Sequence, residues 1–209
     1  MIMRRAIIET HFLPSIEYFC ALAGYDEIVV EKHEHFLKQS FRNRCYILTT
    51  NGIERLSVPV AIDSGKIQIP MVPIDYSNKW PTNFWRTLQS AYAKAPFFEY
   101  YKDDLRSELF SGEMYLFNLN HRLLSLCLKW LGWKTTIGET TAYETKPDVT
   151  DLRNAISAKS NFANRSFYHP FSYQQVFGKQ FVPNLGILDL LFCTGPDASG
   201  IIKSSIRKI

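Results

Sequence analysis

The sequence predicts a mixed α/β domain of the α+β kind, a mainly antiparallel sheet with helices packed on it, and three observations predict it. The stretch YILTTNGIERLSVPVAI places Asn51-Gly52, two residues that tolerate positive φ, between alternating runs. Residues 83–131 carry three apolar stripes at helical 3–4 spacing. The segment LGILDLLFC (185–193) is apolar on every side except at Asp189, as a buried helix is.

Taken in order, residues 5–9 (RAIIE) read as a first strand. Pro14 opens a helix that runs to about Leu22 and stops at Gly24. Residues 27–31 (EIVVE) read as a second strand. A turn at Asn51-Gly52 pairs residue 50 with 53, so Ile47 faces Leu56, Cys45 faces Val58, Asn43 faces Val60 and Phe41 faces Ile62. The hairpin then covers 41–62. IQIP (67–70) is strand-like. Trp85, Leu88, Ala91, Tyr92 and Ala95 line one helix, and Phe98, Tyr101, Leu105 and Leu109 a second. Leu119, Leu123, Leu126, Cys127 and Trp130 line a third, closed by Gly132. Residues 134–170 lose the period and read as a partly structured surface excursion. SYQQVF (172–177) reads as a returning strand, and Pro183-Asn184 starts the greasy helix, which Gly195-Pro196 stops. With 209 residues, one domain over 1–209 is expected.

Apolar content of 46% and aromatic content of 14% require an ordered core. No apolar run is long enough to span a membrane, and Glu9 and His11 break the one that follows Arg4-Arg5. Four scattered cysteines (Cys20, Cys45, Cys127, Cys193) show no zinc spacing and suit a reducing, cytoplasmic setting. The net charge of +4 comes without a basic run, so nucleic acid is not an expected partner. Nucleotide-binding glycine loops and the G-x-S-x-G elbow are absent, and no cofactor is expected.

Chemistry concentrates in two places. In KQSFRNRCYI (38–47), read as extended, Lys38, Arg42 and Arg44 share one face, while Phe41, Asn43, Cys45 and Ile47 share the other. That cationic face is either solvated or an anion site whose guanidinium forks suit phosphates. Asn43, among apolar partners, either bonds neighbouring backbone or faces a cavity and holds a ligand. Just upstream stand His33 and His35, with Glu31 and Glu34 nearby. A third imidazole or a cysteine at metal spacing is missing, so no metal is expected, and His33 is a candidate general base. Asp189 must find a partner or become neutral, so it is either a structural pair or an acid–base group.

The pieces FLPSIEYF (12–19), EKHEHFLKQSFRNRC (31–45), LSVPV (56–60), NFWRTLQSAYAKAPFFEYY (83–101), YQQVFG (173–178) and FVPNLGILDLLF (181–192) resemble, in this order, the WbqC-like protein family of bacteria. Some details are nearest its Bacteroidetes branch. The resemblance implies a link to surface polysaccharide (O-antigen) production and a glycyl- or acyl-type transferase role. By motif match it points to Lys38, Arg42, Asn43, Arg44, Trp85, Tyr92, Pro183, Asn184 and Asp189. Two positions depart from the pattern: Phe84 stands where a His often precedes the Trp, and Gly186 where a Ser is usual.

Two readings follow. In the first, a soluble transferase acts on a nucleotide- or lipid-linked sugar. Lys38, Arg42, Asn43 and Arg44 hold the substrate, Trp85 or Tyr92 stacks on it with Asn184 nearby, and His33 or Asp189 moves the proton. In the second, the chain is a non-catalytic accessory of the same pathway that binds a sugar or a partner protein. The sequence sets no oligomeric state.

Overall fold

The computed structural model describes residues 3–62, 66–158 and 165–207. Its main sheet is parallel throughout, which corrects the expectation of a mainly antiparallel one. Strand β1 (Arg5–Ile8) leads through helix α1 (Ile16–Leu22) to β2 (Glu27–Val30), and the two strands pair in parallel, Ile8 opposite Val30. A strand, a helix and a second strand in one sheet form a crossover, and a crossover returns the chain in the same direction.

The hairpin exists but is shorter and shifted. Strands β3 (Arg44–Thr49) and β4 (Gly52–Ser57) pair Cys45 with Leu56 and Ile47 with Glu54, two residues from the expected register. Gly52 alone takes positive φ (101°), and Thr49 Oγ1 donates to its carbonyl across the turn. One left-handed residue after two ordinary ones fits a bulged turn better than the tight Asn-Gly type. Residues Phe41–Asn43 form a 3₁₀ turn instead of strand, and this hairpin is a separate two-stranded sheet.

Helices α2 (Trp80–Tyr92), α3 (Phe98–Leu109) and α4 (Leu116–Trp130) follow, with the expected stripes of α2 and α3 buried. In α4 Leu119, Leu123 and Cys127 are buried, while Leu126 and Trp130 are only half-buried and Leu124 and Leu128 take the inner places. The segment 134–170, expected to be partly structured, holds two short strands that the sequence reading did not place. It supplies β5 (Thr136–Glu139) beside β2 and β6 (Thr150–Asp151) beside β1, giving the order β5-β2-β1-β6. Residues 67–70 and 172–177 are not strands: Ile69–Met71 is a 3₁₀ turn, and 172–177 is irregular. Helices α5 (Ile187–Thr194) and α6 (Ala198–Ser204) close the chain, and α5 is buried along Ile187–Cys193. Ala6, Ile8, Ile28 and Val30 point into the core with the helices. Ile7 and Val29 lie on the opposite face beneath 139–149. Among the described residues no helix is long and apolar enough to cross a membrane.

Candidate functional site at the carboxyl ends of the strands

Because all four strands run the same way, their carboxyl ends share one edge. Open parallel sheets bind ligands at that edge, where the strand order reverses. Here β2 lies on one side of β1 and β6 on the other, so the reversal falls between β1 and β6. The residues just past the strands are Glu9 and His11 after β1, Glu31 to Glu34 after β2, Thr140 after β5, and Arg153 and Asn154 after β6.

These side chains form two linked layers. In the lower layer, Glu9 Oε1 lies 3.1 Å from His11 Nε2, and Glu9 Oε2 accepts the backbone N–H of Asn154 at 2.8 Å. Arg42 donates from Nε and Nη2 to Glu34 and from Nη2 to Asn154 Oδ1 (3.1 Å). Asn120 Nδ2 donates to the Arg42 carbonyl at 2.7 Å. Burial pushes the His11 imidazole below its usual value, with Glu9 opposing. Burial raises the Glu9 carboxyl, but the His11 bond and the His11 and Arg42 charges outweigh it, and the net shift is downward.

In the upper layer, Glu31 accepts from Thr140 Oγ1, the His33 N–H and Arg153 Nη1, each at 2.8 Å. Arg153 also binds Asp151 and the Glu144 carbonyl, and its guanidinium lies 4.7 Å from the Tyr143 ring centre. Above this floor opens a cavity of about 470 Å³ lined by His33, Glu34, His35, Leu37, Tyr143, Arg153 and Asn154. Small-molecule sites run roughly 300–1,000 Å³.

Two cavity groups have their orientation set by their partners. His33 Nε2 sits 3.1 Å from the Thr140 carbonyl oxygen. A carbonyl can only accept, so Nε2 carries a hydrogen, and in the neutral tautomer this selects, Nδ1 is the nitrogen with the lone pair. Asn154 turns Oδ1 to the donor-only Arg42, which leaves its Nδ2 hydrogens uncommitted. Its φ of 58° is left-handed, a region asparagine tolerates. A ring nitrogen and an amide NH₂ group thus share the lining of one cavity.

The structure distributes the sequence-predicted residues over several places. His33 lines the cavity. Arg42 is buried beneath it, Lys38 is exposed and Arg44 is half-buried, so the three do not share one strand face. The 3₁₀ turn at 41–43 breaks the alternation that would have aligned them. Asn43 Nδ2 donates to the Val58 carbonyl at 2.9 Å. Asp189 accepts from Tyr92 (2.8 Å), Tyr173 (2.6 Å) and Gln175 (2.9 Å), none of which lines the cavity. Tyr92 in turn accepts the Leu48 N–H at 3.1 Å and so ties β3 to α5. Asn184 holds α1 by accepting the Glu17 N–H at 2.8 Å. Trp85 packs between α2 and α3 beside Phe98. Thr140, Arg153 and Asn154 escaped sequence reasoning because they lie in the aperiodic 134–170 stretch. Glu9 and His11 were visible only as interruptions of an apolar run.

The sequence profile of the WbqC-like protein family matches residues 10–163 and 158–201. The chain belongs to the WbqC-like protein family. The first match carries His11, His33, Arg42 and Asn154, and the second carries Asn184 and Asp189. The uncharacterized protein Rv1507c of Mycobacterium tuberculosis is similar, 27% identical over 225 residues that cover 95% of this chain and 96% of its own. No solved structure matches. In this WbqC-like chain the Gly186 departure has a local reason. A Cβ there would lie 3.0 Å from the Tyr46 carbonyl oxygen, which accepts the Gly186 N–H at 2.8 Å. Phe84 is buried with its ring edge-on to Phe12 and Trp80.

Proposed function

We propose that this WbqC-like protein is a transferase that moves a glycyl or acyl group onto a sugar precursor of surface polysaccharide such as O-antigen. The observation that carries the reading is the His33 imidazole, with Nε2 committed to Thr140 and the lone pair of the neutral ring on Nδ1, at a cavity that also holds Asn154. His33 Nδ1 takes the proton of the sugar amine or hydroxyl as its nitrogen or oxygen bonds to the carbonyl carbon of an activated donor, such as a thioester. Asn154 Nδ2 donates to the oxyanion that forms. Collapse expels the thiolate, and the imidazolium returns the proton to it. Arg42 acts from beneath by fixing Asn154 and Glu34. Lys38, next to the rim residue Leu37, is available to a substrate phosphate. Asp189 and Tyr92 serve as an anchor between α5 and β3.

The test is product formation. Purified protein is incubated with amino-sugar nucleotides and with glycyl and acyl thioesters, and acylated sugar is sought by mass spectrometry. The wild type is expected to form product, and His33→Gln to lose about 100-fold or more of the rate. Binding of a sugar nucleotide without product from any pair would overturn the catalytic reading in favour of an accessory binding protein.

A further inference from the structure

A second candidate site lies outside the strand-end cavity, on the outer surface of α2 and α3. The two helices are joined by the short link 93–97 and face each other along part of their length. Thr82, Trp85, Arg86 and Gln89 project from α2 at 3–4 spacing, and Lys102, Asp103, Arg106 and Phe110 from α3 and its end. Together they line a groove of about 450 Å³.

The groove is cationic, with two guanidiniums and an ammonium against the Asp103 carboxylate. Among the described residues Arg86 and Arg106 form no ion pair, whereas Lys102 pairs with Glu99. Aromatic rings hold Arg106 in place: its guanidinium carbon is 6.0 Å from the Trp85 ring centre and 5.6 Å from that of Phe110. A guanidinium stacked on rings loses freedom but keeps its N–H edge for an anion. Like charges converging on one concavity repel, and a bound anion relieves that repulsion. Thr82 and Gln89 add neutral hydrogen-bonding groups at the same wall.

We propose that the α2–α3 groove binds the diphosphate or phosphate-ester group of a small molecule, with Arg86 and Arg106 as its principal donors. A group with several phosphoryl oxygens offers acceptors to both guanidiniums lining the groove. The site is independent of the transfer chemistry assigned to His33.

Calorimetric titration with inorganic pyrophosphate tests this directly, using the full chain and an Arg86→Gln/Arg106→Gln variant. Both side chains are exposed, so circular dichroism of the variant should match the wild type, with only a small fall in melting temperature from the lost Arg106 ring contacts. The expected result is saturable binding at one site that weakens about tenfold or more in the variant, and that also weakens with added salt. Absence of saturable binding in the wild type, or equal affinity in the folded variant, would overturn the inference. A parallel arm uses phosphatidylglycerol vesicles. Vesicle binding without pyrophosphate binding would place the patch on a lipid surface and overturn the small-molecule assignment.

Discussion

Arg42 lies fork to fork on Glu34, Nε 2.7 Å from Oε1 and Nη2 2.5 Å from Oε2, with both side chains nearly closed to solvent. The pair sits directly under the candidate cavity, because Glu34 lines it and Arg42 holds Asn154. Burial raises the Glu34 carboxyl while the guanidinium pulls it down, so the pair's integrity depends on both partners.

Truncating one partner strands the other charge. Glu34→Ala should destabilise the fold by about 3–5 kcal/mol, as losses of buried ion-pair partners do. Arg42→Lys should recover little, since an ammonium cannot reproduce the two-point contact. Urea unfolding at neutral pH measures both.

The His11–Glu9 pair sets a pH dependence of known sign. Burial holds the His11 imidazole below its usual 6.5, so the folded chain binds that proton more weakly than the unfolded chain. Its stability contribution is therefore full above 6.5 and is lost as pH falls below it. Glu9, whose net shift is also downward, adds a second loss beginning as pH falls through its usual 4.5. The raised carboxyls of Glu34 and Asp189 pull the other way as pH falls, so the reading is a difference: between about pH 7.5 and 5.5 the wild type should lose more melting temperature than His11→Gln.

Asp189 accepts three hydrogen bonds in a buried setting, and its removal strands two tyrosine O–H donors and one of the two Gln175 amide hydrogens, the other staying on the Val182 carbonyl. Each unsatisfied buried donor costs about 1–3 kcal/mol. Asp189→Ala should therefore cost roughly 3 kcal/mol or more in urea unfolding, and Asp189→Asn, which keeps one acceptor oxygen, less.

Gly186→Ser introduces a Cβ 3.0 Å from the Tyr46 oxygen. The strand must give way by a few tenths of an ångström, at a cost of about 1–2 kcal/mol. For a chain of this size that is a fall of about 2–8 °C in melting temperature. Thermal unfolding of the variant decides it.

Long, strongly patterned elements were legible in the sequence. The stripes of α2, α3 and α4 and the greasy run of α5 are period signals sustained over several turns. The sheet's direction was half legible, since RAII, a helix and EIVV already make a crossover. The remainder was hidden by length: β6 is two residues, Thr150–Asp151, and β5 carries Gly138 in its middle. Strands so short leave no period to read, and their place is fixed by pairing with β1 and β2. The site followed the same rule. His33 stood out as an imidazole near carboxylates, but Thr140 and Asn154, which give it geometry, arrive from sequence positions more than a hundred residues away.

The most direct test of the strand-end site is thermal unfolding of wild type, His33→Ala and Asn154→Ala against a panel of nucleotide-sugars and acyl thioesters. A ligand at about 100 times its dissociation constant stabilises the fold by ~2.7 kcal/mol. The account predicts a shift in the wild type that both variants lose, each read against its own ligand-free melting temperature, which is lower in Asn154→Ala because alanine is strained at φ 58° and Arg42 loses an acceptor. A shift of undiminished size in both variants would contradict it and move the site away from the carboxyl ends of the strands.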